Sequence, residues 1–123
     1  MTYVAIALVV ILLAFIFMKG SGAAANGNFE NITPAEAKKM LNDKNVVALD
    51  VRTPAEVSQG KIKNAVAINV ASSGFLREIN KLDKSKTYIV YCRSGRRSMN
   101  ASRIMSSKGF ENIYNLLGGY NNW

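Results

Sequence analysis

One cysteine and three arginines fall within six positions of each other in Cys92-Arg93-Ser94-Gly95-Arg96-Arg97-Ser98. Sulfur attacks as the thiolate, and an ordinary cysteine, with a pKa of about 8.5, is mostly protonated at neutral pH. Imidazole cannot ionise it here, because the sequence contains no histidine. The same absence removes Ser-His-Asp and Cys-His catalytic pairs and histidine-ligated metal sites. Cys92 is also the only cysteine, so there is no internal disulfide, no C-x-x-C redox pair and no thiolate cluster for zinc. The sequence therefore calls for no metal and no cofactor, and any covalent sulfur chemistry falls to Cys92 alone.

The segment's setting supplies another way to ionise the thiol. It follows an apolar run ending at Tyr91 and precedes a helical pattern starting near Ser98. The first N–H groups of a helix lack intrahelical partners, and that end carries a partial positive charge. A loop curling there aims successive amides at one anion, and Gly95 permits the positive φ such curling needs. Arg93, Arg96 and Arg97 attract and orient an anionic substrate. Ser94, Gly95 and Ser98 complete the expected binding loop, with Ser98 read first as a helix cap. The alternative is an inert buried cysteine at a strand end, which leaves the three arginines unexplained.

The remaining charge says less. The net charge is +8, and most lysines are scattered as on a solvated surface. Aromatic and basic residues are not interleaved as in nucleic-acid readers, so no nucleic-acid partner is expected.

To position the loop, residues 29–123 must form one small domain. Phe29 to Ile32 reads as a strand. Thr33-Pro34-Ala35-Glu36 is a capping box with proline at the first helical position, and Thr53-Pro54-Ala55-Glu56 repeats it. Val46 to Leu49 is a continuous apolar run, as in a strand covered on both faces. Further strands are expected over 66–70, 87–91 and 113–117. Helices are expected around Phe75, Leu76, Ile79 and Leu82 and over 98–108, with Gly109 as a stop. Short strands alternating with helices predict an α/β fold, a parallel sheet with helices on both faces. Asp50 and Arg52, at a strand end, read as a structural ion pair, with direct substrate contact the alternative.

Residues 1–18 carry no charged side chain. As a helix they extend about 27 Å, close to the hydrocarbon thickness of a bilayer. Residues 19–28, Lys19-Gly20-Ser21-Gly22-Ala23-Ala24-Ala25-Asn26-Gly27-Asn28, read as a flexible linker. An N-terminal apolar helix anchoring the domain in a membrane is expected. Lys19, Lys38 and Lys39 place the domain on the cytoplasmic side. Export to the periplasm is the alternative, because Ala23-Ala24-Ala25 fits a cleavage site.

Several segments together carry a resemblance. Asn31-Ile32-Thr33-Pro34-Ala35-Glu36, Val46-Val47-Ala48-Leu49-Asp50-Val51-Arg52-Thr53-Pro54-Ala55-Glu56-Val57, Gly60-Lys61-Ile62-Lys63-Asn64-Ala65, the Cys92 loop and Leu117-Gly118-Gly119-Tyr120-Asn121-Asn122-Trp123 resemble the rhodanese-like single-domain sulfurtransferases. Lys61 stands where that family usually has histidine and Asn64 where it usually has glycine. With the sequence ending at Trp123, a short final helix is expected. The resemblance implies that Cys92 takes a sulfane sulfur from a small anionic donor such as thiosulfate. It then hands the sulfur, held as a persulfide, to a thiol or to cyanide. Two other functions remain open: a small cysteine phosphatase or arsenate reductase, and a non-catalytic binding module. The phosphatase-type loop has arginine six residues after cysteine, whereas Ser98 stands there and Arg97 comes one residue early.

Overall fold

The computed structural model describes residues 28–123. The expected apolar helix over 1–18 and nearly all of the linker lie outside the described residues. Among those described, no helix is long and apolar enough to cross a membrane.

Five strands form one parallel sheet: β1 (Phe29–Ile32), β2 (Val46–Asp50), β3 (Val66–Ala67), β4 (Thr87–Tyr91) and β5 (Asn112–Leu116). Their order is β1-β5-β4-β2-β3. Four helices connect them, α1 (Pro34–Met40), α2 (Pro54–Ser58), α3 (Phe75–Ile79) and α4 (Arg96–Ser107), and a 3-10 turn over Gly119–Asn122 follows β5. The winding reverses between β2 and β4, since the chain leaves β2 toward β3 and leaves β4 toward β5. Ligand crevices in open parallel sheets form outside the strand C-termini at such a reversal.

β4 lies at the centre, and its alternation divides the core. Tyr88, Val90 and, just beyond the strand, Cys92 pack on one face with Phe75 and Ile79 of α3 and Ala101 and Met105 of α4. Ile89 and Tyr91 pack on the other face with Ala37 of α1, Ala48 and Leu116. Helices thus cover both faces, as the continuous apolar runs require. Both capping boxes form, with Thr33 accepting from the Glu36 amide and Thr53 from the Glu56 amide.

Several boundaries differ from expectation. β3 ends at Ala67 instead of Val70 because the chain peels off the ladder. It keeps only two bonds to the end of β2, Ile68 N to Asp50 O (2.8 Å) and Val70 N to Val51 O (3.1 Å). β5 begins one residue early and ends at Leu116; Leu117 is exposed, and its amide bonds Ile32 O at 2.9 Å. α4 begins at Arg96, two residues earlier than expected, because Gly95 itself is the N-cap. Asn64 takes the left-handed region (φ 65), which asparagine tolerates better than other non-glycine residues.

The box at α1 is exposed. Thr33→Ala is therefore expected to cost about 1 kcal/mol of stability in urea unfolding. A loss below about 0.3 kcal/mol would show that the box adds nothing beyond helix packing.

Candidate active site

β4 carries Cys92 to the C-terminal edge of the sheet, where the side chain is fully buried. The chain must then reverse into α4 within three residues. Gly95 makes the turn at φ 115. A Cβ there would meet nothing closer than 3.9 Å, so backbone conformation, not space, requires glycine. The turn points the Gly95 amide back at the sulfur, N to Sγ 3.1 Å.

The loop is clamped from behind by the turn after β5. Tyr120 N donates to Cys92 O at 2.8 Å and Asn121 N to Arg93 O at 3.1 Å. Two carbonyls are thereby fixed outward, leaving the amides free to face the sulfur. Gly119 permits the approach. It has φ 59, and a Cβ on it would lie 2.5 Å from Cys92 O and 2.6 Å from Arg93 O.

Ser98 is not the helix cap expected from its position. It is the third residue of α4, fully buried. Its hydroxyl lies 3.5 Å from Cys92 Sγ and bonds Gly95 O (2.9 Å) and Asn115 Oδ1 (2.5 Å). Burial raises the thiol pKa. The Ser98 hydroxyl and the amides of Ser98, Gly95 and Ser94 outweigh that, and the net shift is downward. Backbone donors and one hydroxyl thus take the part that imidazole plays elsewhere.

The six loop residues separate into distinct settings. Arg93, Ser94 and Arg96 are exposed, while Gly95 and Ser98 are buried. Arg93 lines a concavity with Arg52, Glu56, Gln59, Tyr120 and Asn121. Arg97 turns away to α2, where its guanidinium forms a two-pronged ion pair with Glu56 (2.6 and 2.8 Å). The Arg97 partner holds the Glu56 carboxyl down at about 2, well below its ordinary 4.5, against the opposing effect of burial.

Asp50 and Arg52 meet at the end of β2. Asp50 is fully buried and Arg52 nearly so. Arg52 Nε and Nη2 grip the carboxylate at 2.9 and 2.7 Å, and Nη2 also donates to Gly60 O at 2.7 Å. Its guanidinium lies over the Tyr120 ring, 4.5 Å from the centroid. The pair thus ties β2 to the segment before β3 and supports the ring whose amide clamps Cys92. Among the described residues, no group of three or more acidic or cysteine side chains converges as a metal site needs.

Glu56 and Asn115 were not singled out as site residues. Glu56 carried a sequence signal only for capping. Asn115 is a polar residue inside the apolar run from Ile113 to Leu116, which in a central strand marks a buried hydrogen-bonding duty.

A parallel sheet presenting one thiol at a helix N-terminus, with main-chain amides aimed at the sulfur, defines an anion-loop thiol domain. Residues 33–123 match the model of the rhodanese-like domain, and the chain belongs to that family. It is 36% identical over 102 residues to the tRNA uridine(34) hydroxylase of Pelagibacter ubique, covering 82% of this chain but only 34% of that protein. It is also 36% identical over 98 residues to a putative mitochondrial thiosulfate sulfurtransferase of Schizosaccharomyces pombe, covering 71% of this chain and 69% of that one. Among solved structures, the rhodanese-related protein of Thermoplasma volcanium superposes with a TM-score of 0.68 at 31% identity, covering 76% of this chain and 89% of that one. The chain thus spans about a third of the hydroxylase it matches.

Two outcomes follow from this geometry. Gly119→Ala is expected to destabilise the domain by on the order of 3 kcal/mol and to slow alkylation of Cys92. Wild-type stability and alkylation would refute the clamp. Glu56 ionises at about 2 in the fold against 4.5 ordinarily, so its contribution is complete above about pH 4.5 and is lost as pH falls toward 2. Urea unfolding of Glu56→Gln should show a flatter decline across that window; an unchanged decline would exclude the ion pair as its source.

Proposed function

We propose that this domain is a sulfurtransferase that carries a sulfane sulfur on Cys92. The carrying observation is the Gly95 amide 3.1 Å from a buried sulfur, in a loop that reaches the helix after only three residues. A loop so short fits one added sulfur atom better than a tetrahedral phosphate or arsenate.

In this reading Cys92 attacks the outer sulfur of a donor such as thiosulfate. A new S–S bond forms, the donor's S–S bond breaks, and sulfite leaves with the electron pair. The terminal sulfur of the persulfide keeps the negative charge and lies under the amides of the Ser94–Ser98 segment. A thiolate or cyanide then attacks that sulfur and releases the Cys92 thiolate. No proton or electron is needed from elsewhere. Arg93 and Arg96, both exposed, receive the donor's oxyanion. Arg97 contributes through its bond to Glu56, and Asp50 and Arg52 hold the framework. The family and the putative thiosulfate sulfurtransferase relative support this reading.

Residues 1–18, from their sequence alone, are proposed to anchor the domain in a membrane with its site facing the cytoplasm. A reporter fused after Trp123 tests that orientation.

Incubation with thiosulfate should add one sulfur atom to Cys92 by mass spectrometry, and Cys92→Ser should gain none. Cyanide should then release the sulfur as thiocyanate. Phosphate release from an aryl phosphate without sulfur uptake would overturn the proposal in favour of a phosphatase. Absence of both activities would favour a binding module.

A further inference from the structure

A hydroxyl carries one proton, and Ser98 Oγ has three neighbours able to take it: Asn115 Oδ1 at 2.5 Å, Gly95 O at 2.9 Å and Cys92 Sγ at 3.5 Å. With a protonated thiol the arrangement is consistent. The sulfur donates to Ser98, and Ser98 passes its own proton to Asn115. Once the sulfur is anionic it can only accept, and the same arrangement turns a hydroxyl lone pair toward a buried negative charge. Gly95 O does not need the serine proton, because Met99 N already donates to it at 3.1 Å. The orientation of Ser98 therefore depends on Asn115.

Asn115 is 1% exposed and lies on β5 beside Asn31 of β1, its register partner. Its Nδ2 donates to Asn31 Oδ1 at 2.9 Å. The two ends of a carboxamide have nearly the same shape, so a half-turn exchanges donor and acceptor without changing the packing. Asn31 is exposed, and its amide can make the matching half-turn against solvent.

We infer that Asn115, braced by Asn31, is the positioning residue that decides where Ser98 points its proton, and that its amide turns over when Cys92 ionises. In the turned state Asn31 Nδ2 donates to Asn115 Oδ1, Asn115 Nδ2 to Ser98 Oγ, and Ser98 Oγ–H to the thiolate. Every polar atom of the chain is satisfied in both states, and only the thiol proton is lost. A buried network with two complete arrangements stabilises the anion at little cost to the neutral form. The charged groups on the surrounding elements are the Asp50–Arg52 pair at the end of β2, the Glu56–Arg97 pair between α2 and α4, Arg93 and Arg96 in the loop and first helical turn, and Arg103 of α4, which lines one concavity with Asn115. None belongs to the Asn31–Asn115–Ser98 chain, so the chain's effect is separable from theirs. The inference rests on the sulfur-transfer reading only in taking Cys92 as the ionising group.

Ultraviolet thiolate absorbance reports Cys92 alone, because it is the only cysteine. Asn115→Leu removes the donor, and at a fixed pH below the midpoint it should hold roughly three- to tenfold less thiolate than wild type. Asn115→Asp, which can only accept while its carboxylate is ionised, should lower it further wherever that carboxylate is charged. In a Ser98→Ala background Asn115→Leu should change nothing, because its effect passes through the hydroxyl. A midpoint for Asn115→Leu equal to wild type, or the same shift with and without Ser98, overturns the inference. In the unmodified protein, the side-chain amide resonances of Asn115 and Asn31 should move with the Cys92 midpoint. Amide signals unchanged through that midpoint overturn it even where the variants fail to fold. Failure of the sulfur-transfer reading registers separately, as no sulfur gained by Cys92 from thiosulfate.

Discussion

The contact between the Gly95 amide and the Cys92 sulfur is the constraint the rest of the domain serves. An amide points inward over three residues only if the carbonyls on either side point outward. Two of them do so because Tyr120 N and Asn121 N hold Cys92 O and Arg93 O. The terminal turn reaches them because Gly118 and Gly119 take positive φ values of 74 and 59. β4, buried on both faces, gives the loop a stiff base. The last strand and turn are thus part of the site although they contribute no reactive atom. The Arg52–Tyr120 contact extends the same support back to β2.

The electrostatics are more economical than a net charge of +8 suggests. Two of the arginines near the thiol are neutralised locally: Arg52 by Asp50, 2.7 Å away, and Arg97 by Glu56, 2.6 Å away. Both have their guanidinium pKa raised chiefly by those carboxylate hydrogen bonds. Their work is mechanical, since planar guanidinium forks hold separate segments at fixed angles. Arg93 and Arg96 are exposed to solvent. The field on the buried sulfur itself comes mostly from short-range donors, which salt screens far less than it screens surface charge.

Much of this was legible in the chain. Apolar runs such as Val46–Leu49 gave the parallel sheet, and two Thr-Pro-x-Glu boxes gave helix starts that the structure keeps to the residue. Cys92, Gly95 and the trailing arginines were legible as a candidate site because a reactive residue, a turn residue and three cations stand together ahead of a helical pattern. Less legible was whatever depends on which side of a helix a residue faces. Ser98 looked like a cap because serine before a helical pattern usually is one, yet α4 had begun at Arg96. The role of Arg97 depends on Glu56, 41 residues earlier in the chain, and no local pattern encodes that meeting. Asn115 meets Asn31 only through the register of β1 against β5. Residues 1–18 carry a sequence signal that the described structure does not reach.

On the proposed sulfur-transfer reading, the leaving groups of sulfane transfer explain why a nucleophilic thiol can dispense with histidine. Imidazole is needed where a proton must be taken from the nucleophile and given to a poor leaving group. Sulfite and a thiolate are both stable anions, so neither departure needs a proton. What the site must supply is steady stabilisation of one negative charge that moves outward by a single S–S bond and back again. Backbone amides suit that task, because they do not titrate and stay aligned by the fold through both half-reactions. A hydroxyl that can reverse its single bond adds adjustment where fixed amides have none. Of the donors around Cys92, only the Ser98 hydroxyl can do so, and it is held by Asn115.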